Sequence, residues 1–397
     1  MTAADESRLE LTEDQVRAFR ARRGHLLGDG ASNPTAAARA LVGIQAQQLP
    51  PALFGLSQRT KVSTKTGERP TAEALAKKLF GSKRKLVRTW GQRDTLHIFD
   101  PKADWNRVVA ARAQWSPGGR RGATPTEEAL EDGLSKIRCT RDAVTRSYLM
   151  GNLPDAYVKE VADHVGKSFE PERFAAGRVM WQLANQGHLY LEDKLGNEQQ
   201  YALRTDGFPD LDWEELDPFE AAAALARRYL STYGPSTPKD IAHFFGAKVS
   251  VARTWIEALR EEKKLLAVDC GDRAELWALR ADKADLEAPP PPASKWPPRL
   301  LPLWDGFLMG HADKSWVLPD RREYPNVWRK AAVVAASVVA RGRVVATWSH
   351  QARKDRVDVT VEPLSQWKRT FLPAVRSEAK ALAHHLGVER ADVAVTG

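Results

Sequence analysis

The sequence predicts an α+β chain: three tandem winged helix-turn-helix domains followed by a C-terminal β-rich, barrel-like domain. Three observations predict it. Amphipathic helices followed by a two-stranded hairpin recur three times before residue 287. A proline-rich stretch, Ala288 to Pro298, then reads as a stiff linker. Beyond it, apolar residues alternate at the two-residue period of strands. The boundaries that follow are 10–115, 116–210, 211–287, a linker at 288–298, and 299–397.

Leu11 to Leu27 reads as a helix, with Thr12 as its cap and Glu13-Asp14 in its first turn. Asn33-Pro34 opens a second, the cap followed by proline at the first helical position. It carries Ala38, Leu41, Val42 and Ile44, and the sequence expects Pro50-Pro51 to end it. Thr71 to Leu79 is a third helix. Leu86 to Trp90 and Thr95 to Phe99 are β-prone runs around the turn Gly91 to Asp94. The order recurs with helices at 126–137, 140–150 and 171–186 and a hairpin around Gly196-Asn197. It recurs again with helices at Pro218 to Thr232, Thr237 to Gly246 and Ser250 to Glu262, then a hairpin around Gly271-Asp272. After the linker, Val333 to Val339 and Val344 to Trp348 form a hairpin with Gly342 in its turn. Arg356 to Val361 adds a strand and Pro373 to Leu386 a closing helix.

Lys and Arg number 60 against 51 Asp and Glu, a net charge of +9 that favours a polyanionic partner. The basic residues cluster at Lys77-Lys78, at Lys83 to Arg88, at Arg120-Arg121, and at Arg341-Arg343 with Arg353 to Arg356. No run of about 18 apolar residues exists, so no membrane span is expected. The N-terminus does not read as a secretory signal. Two cysteines, Cys139 and Cys270, fit neither a metal site nor a disulfide framework, and a reducing cytoplasm is the expected compartment. Phosphate-binding loops, dinucleotide fingerprints, zinc-protease and EF-hand motifs are absent, so no cofactor and no metal are expected. The expected oligomeric state is a monomer.

Three glutamines, Gln45, Gln47 and Gln48, crowd the end of the helix that carries Leu41. An amide offers a donor and an acceptor on one arm and is neither an acid nor a base. Leu49 precedes a proline and is biased to extended backbone. In extended chain, residues two apart face the same way, so unwinding near Gln47 would let two amides converge on one water.

Four segments resemble the winged-helix DNA glycosylases typified by AlkZ and YcaQ, bacterial enzymes that excise bulky N7-alkylated bases and unhook interstrand crosslinks. Leu41-Val-Gly-Ile-Gln-Ala-Gln-Gln48 resembles the family's helix ending in Gln-x-Gln or Gln-x-Asp. Val87-Arg-Thr-Trp-Gly-Gln-Arg-Asp-Thr-Leu-His97 resembles its Arg-Gly-Thr-Leu-His hairpin, although Gln92-Arg93-Asp94 replaces Arg-Gly. Tyr229 to Asp240 resembles the start of its last winged helix. Leu300 to Gly310 resembles the opening of its C-terminal β-domain, although Trp304-Asp305-Gly306 and His311 depart from the usual residues.

The resemblance implies a monofunctional DNA glycosylase acting on alkylated double-stranded DNA, with Gln45 and Gln47 catalytic and Gln48 as the alternative partner. Glutamine at position 47 places the chain with the AlkZ-like branch, often tied to self-protection against a DNA-alkylating natural product. A neutral amide orients water and does not take its proton, which suits a cationic N7-alkylated base that leaves unaided. No lysine lies in the motif, so water is the expected nucleophile. His97 and Thr95 are read as pocket-lining, with a packed core histidine as the other reading of His97. Asp305 is read as structural or sugar-facing. Lys83, Lys85, Arg88 and Arg93 are expected to meet phosphates, and Arg341 and Arg343 to enter a groove or to form an exposed basic tip. The competing functions are a non-catalytic winged-helix DNA-binding regulator and a protein-interaction scaffold.

Overall fold

The computed structural model describes residues 8–115, 124–140, 142–165 and 170–396. Arg120 and Arg121 lie outside the described residues. The chain is mixed α+β, and its first 280 residues repeat one order of elements.

Strand β1 (Leu9–Glu10) precedes helix α1 (Glu13–Arg23), which starts at a reciprocal capping box between Thr12 and Gln15. The first unit is α2 (Pro34–Ala40), β2 (Ile44–Gln45), α3 (Leu49–Arg59), α4 (Ala72–Phe80), β3 (Val87–Trp90) and β4 (Leu96–Phe99), followed by α5 (Asn106–Ala111). The second is α6 (Glu127–Thr140), β5 (Val144–Thr145), α7 (Arg146–Leu149), α8 (Asp155–His164), α9 (Pro171–Asn185), β6 (Leu189–Leu195) and β7 (Glu198–Leu203), closed by the single turn α10 (Arg204–Gly207). The third is α11 (Pro218–Tyr233), α12 (Pro238–Phe245), α13 (Val249–Glu261), β8 (Leu265–Cys270) and β9 (Arg273–Leu279).

The helix expected at 140–150 is split, because Val144 and Thr145 pair with Tyr201 and Gln200 as a strand. Each unit thus places a short extended piece against the second strand of its hairpin. The sheet orders are β2-β4-β3 and β5-β7-β6, while in the third unit Ser236 bridges Trp277 and β1 joins β8 in parallel.

The units are not beads on a string. Leu53, Leu79 and Phe99 of the first share one core with Tyr229, Phe245 and Trp255 of the third. The second keeps a core of its own around Ile137, Val179 and Leu183. After α14 (Lys283–Glu287) the proline-rich stretch is tied down by Trp296, buried with α1 residues such as Phe19.

The C-terminal part holds β10 (Arg299–Leu301), α15 (Gly306–Met309), α16 (Tyr324–Val327), the small pair β11 (Trp328–Arg329) and β12 (Val333–Val334), then β13 (Ser337–Ala340), β14 (Arg343–Ala352) and β15 (Arg356–Pro363). Helix α17 (Leu372–Leu386) crosses to β16 (Arg390–Val395), which pairs parallel with β15. The five-stranded sheet runs β10-β13-β14-β15-β16 and is open, so the barrel-like closure expected from the sequence is corrected. Helix α17 covers one face of the sheet, packing Val375, Ala379 and Leu382 against Val357, Val359 and Val361.

Candidate active site

The glutamine stretch does not end a helix. Helix α2 stops at Ala40, and Val42 and Gly43 both take the left-handed conformation, with φ of 56° and 88°. Glycine is required at 43, since a Cβ there would lie 2.2 Å from the Phe99 ring. A β-branched valine with positive φ is strained by about 1–3 kcal/mol. The Gln92 amide, 1% exposed, holds it by donating to the Val42 carbonyl at 2.9 Å. Pro50-Pro51 is also corrected: the two prolines lie in the first turn of α3, where their missing N–H groups would be unpaired anyway. Between these two features only Ile44–Gln45 is strand, and the chain bends at Gln47 and Gln48 before α3 begins.

Gln45 pairs with His97 across the ladder, and the Ala46 N–H donates to the Leu96 carbonyl at 2.7 Å. Pairing then fails for a visible reason. Buried Arg88 donates to the Ala46 carbonyl through Nε and Nη2, at 3.2 and 3.0 Å, so the Leu96 N–H turns to Gln47 Oε1 at 3.2 Å. Gln45 Oε1 accepts from Arg93 Nη2 at 2.9 Å. Both donors can meet only an oxygen, so each amide is fixed by its carbonyl and presents its NH2 outward. Gln45 is half-buried at the end of the strand, Ala46 is buried, and Gln47 lies exposed in the bend beyond it. Gln48 is exposed and makes no capping bond to α3.

Two expected phosphate ligands are thereby corrected. Arg88 is spent on Ala46 and on Gln199 Oε1. Arg93 bonds Gln45 and the Phe244 carbonyl, and burial lowers its guanidinium to about 10, still charged at neutral pH. Lys83 and Lys85 are exposed and remain available. The Arg341 to Arg343 turn is not a free tip either. Arg341 and Arg343 face Asp14 and Glu13 of α1, and a Cβ on Gly342 would meet Arg17 at 2.8 Å.

His97 is a core residue: 2% exposed, stacked on Phe99, its Nδ1 3.0 Å from the Thr95 carbonyl. Burial, then the Arg93 charge, pushes its imidazole down to about 3, so it is neutral. Thr95 donates to the Gln92 carbonyl and holds the turn. Asp305 caps α15 at the Phe307 N–H and pairs with Arg59 at 2.7 Å, both side chains buried. Together with Trp304 and Gly306 they face Gln45 across a narrow cleft between the first unit and the C-terminal part.

The four resembling segments converge here. From the third, Thr232 donates to the Ala40 carbonyl at 2.6 Å and Tyr233 to that of Leu41 at 3.4 Å. Tyr229 donates to the Gly310 carbonyl in the fourth at 2.6 Å. The sequence pointed to Gln45, Gln47 and Asp305 but missed Gln92 and Arg59 as supports. Amide and guanidinium contacts to distant carbonyls leave no local pattern. Among the described residues, no cluster of His, Cys, Asp and Glu is placed to hold a metal ion.

A family model for AlkZ-like DNA glycosylases matches residues 38–385. An interstrand DNA cross-link repair glycosylase of Streptomyces sahachiroi is 28% identical over 320 residues, 78% of this chain and 81% of that protein. The solved structure of the Streptomyces sahachiroi DNA glycosylase AlkZ superposes with a TM-score of 0.77 at 24% identity, covering 98% of this chain and 100% of the other.

Proposed function

The chain belongs to the AlkZ-like DNA glycosylase family, and from that premise we propose that it hydrolyses the N-glycosidic bond of bulky N7-alkylated purines in double-stranded DNA and unhooks interstrand crosslinks. The three repeated units are read as winged helices that carry the duplex, with domain limits close to those drawn from the sequence. Gln45 and Gln47 are read as the catalytic pair. The observation that supports this reading is the fixing of both amides by their oxygens, at the end of a short strand and in the bend just beyond it, at the meeting point of four segments distant in sequence.

Such an arrangement positions a water and leaves its proton to solvent. Each carbonyl keeps a second lone pair for a water proton, and each NH2 can hold the water oxygen. The Arg93 guanidinium polarises the Gln45 amide without offering a base. Because an N7-alkylated purine is cationic and leaves without an acid, orientation is the contribution required. The reaction is monofunctional and asks for no cofactor, and the substrate nucleotide leaves the stack to reach the strand.

The test is release of base from duplex DNA carrying an N7-alkylguanine, read as strand breaks after alkali. The wild type is expected to act far above the spontaneous rate, and Gln45→Ala with Gln47→Ala close to it. If the wild type binds DNA but does not exceed the spontaneous rate, the chain is a winged-helix DNA-binding protein without catalysis.

A further inference from the structure

Lys314 is a cation without a paired carboxylate, set beside the arginine that fixes Gln45. It starts the short turn Lys314–Trp316 and is half-buried. Its Nζ donates to the His311 carbonyl at 2.6 Å, lies 3.4 Å from His243 Nε2 and sits 5.4 Å from the centroid of the Trp328 ring. An ammonium has only donors to offer, so Nε2 accepts and the His243 imidazole is neutral. His243 precedes Phe244 in α12, the Phe244 carbonyl accepts from Arg93, and Arg93 in turn holds Gln45. Burial, then the Arg93 charge, lowers the Lys314 ammonium to about 8, so it is still mostly charged at neutral pH.

The nearby carboxylates are engaged elsewhere. Asp240 and Asp313 act on Lys314 only from a distance, and among the described residues no carboxylate pairs with it. One Asp240 oxygen accepts from the Ala312 N–H at 2.8 Å, and the other from the Thr237 N–H and hydroxyl. Asp313 pairs with Arg273. Lys239, one turn before His243, is exposed and adds further positive charge. Like charges gathered in partial burial are costly unless an anion joins them. Two of the three Lys314 N–H groups face neutral acceptors, which leaves one for that anion.

We propose that Lys314 binds the backbone phosphate next to the reacting nucleotide and so anchors its sugar at Gln45 and Gln47. A phosphodiester is the anion that arrives with this substrate, and a compact ammonium binds one of its oxygens as a point charge. The anchored phosphate also brings negative charge towards a sugar that turns cationic as the base leaves. Lys83 and Lys85 can meet any stretch of duplex, whereas Lys314 meets a phosphate only where the reacting nucleotide sits. The inference rests on the reading that Gln45 and Gln47 mark that place.

The experiment measures binding of the full chain to duplexes that carry one tetrahydrofuran abasic nucleotide. Its 5′ phosphate, its 3′ phosphate or neither is replaced by an uncharged methylphosphonate. For the wild type, replacement on at least one side should weaken binding about tenfold. Lys314→Met should bind the unmodified duplex about tenfold more weakly and be indifferent to one replacement that the wild type feels, because both changes remove the same contact. The modified DNA guards against misfolding as the cause, since it leaves the protein untouched. Wild-type indifference to both replacements, Lys314→Met binding the unmodified duplex like the wild type, or a variant as sensitive as the wild type to every replacement overturns the proposal. No base is released in this assay, so its failure is distinct from a failure of the catalytic reading. The expected binding pattern without glycosylase activity would remove that reading and leave the phosphate site standing.

Discussion

The same register position, opposite the residue two before the end of the hairpin's second strand, is occupied by Gln45, Val144 and Ser236 in the three repeated units. In the third unit the hydroxyl of Ser236 is fully buried. It donates to the Tyr233 carbonyl at 2.8 Å and lies 3.3 Å from both the Tyr229 hydroxyl and His311 Nε2. In the second unit the position holds Val144, a buried apolar side chain with nothing to offer a substrate. Only in the first is the side chain fixed at one atom and open at the other, with exposed Gln47 two residues on. The repeated topology supplies a slot. Chemistry depends on whether neighbours consume the side chain's hydrogen-bonding capacity or leave part of it for a substrate.

The strongest test of that contrast removes the wall facing Gln45. Asp305→Ala strips the buried Arg59 guanidinium of its carboxylate and should cost about 3–5 kcal/mol of stability by urea unfolding. Glycosylase activity per folded molecule should change little if Asp305 holds the cleft and does not touch the sugar. A variant of wild-type stability with activity lost would make it a sugar-facing residue.

The first and third slots each back onto a neutral histidine, and acid should expose this. Burial, with Arg93 beside His97 and Arg20 beside His311, holds both imidazoles down to about 3. Asp240 opposes the shift at His311, but Lys314 adds to it. In the unfolded chain both titrate near their ordinary 6.5, so below that pH the unfolded state binds more protons. Stability should therefore be complete above about pH 6.5 and fall as pH falls, each histidine adding about 1.4 kcal/mol per pH unit. Urea midpoints at pH 7 and pH 5 measure this, and His97→Gln should flatten the dependence.

Within the slots, Gln45→Ala or Gln47→Ala should lower base release about 100-fold with little change in DNA affinity, as expected for lost positioning. Thr145→Ala, beside the corresponding position of the second unit, should leave release unchanged within about twofold. Equal losses at both positions would mean that the slot matters only for folding. Arg93→Lys keeps the charge but not the two-pronged reach to Gln45 and the Phe244 carbonyl. It should slow release about tenfold at unchanged DNA affinity, which separates a positioning arginine from a phosphate ligand.

That distinction marks where the sequence stops being legible. Capped helices announce themselves locally, so α1 at Thr12, α2 at Asn33 and α12 at Thr237 were open to a reader of residues alone. Unwinding of the chain was expected near Gln47, and for the wrong reason. The prolines at 50 and 51 begin a helix, and the break comes earlier, at Val42 and Gly43, held by Gln92 from 50 residues away. Arg88 and Arg93 carry the same letter as a surface arginine, and nothing nearby tells that their donors are consumed by Ala46 and Phe244. Strand β16 alternates weakly, because it is an edge strand with mostly exposed residues. The open edge of the C-terminal sheet is equally invisible, since closure depends on whether the two edge strands meet and not on any strand's own pattern.

The smallest effect separates the basic residues that the sequence had grouped together. Lys83 and Lys85 are exposed, whereas Arg84 between them pairs with Glu192 and bonds the Tyr190 hydroxyl. A phosphate contact releases counterions, so each lysine that meets the duplex should contribute about one to the slope of log affinity against log salt. Lys83→Gln with Lys85→Gln should therefore reduce the slope for undamaged duplex by about two, with release at saturating DNA unchanged. Arg84→Gln should instead lower stability and leave the slope alone, because its charge is already balanced by a carboxylate. If Arg84→Gln changes the slope as much as a lysine does, the ion pair with Glu192 opens on DNA, and the path of the duplex runs across the junction of the first two units.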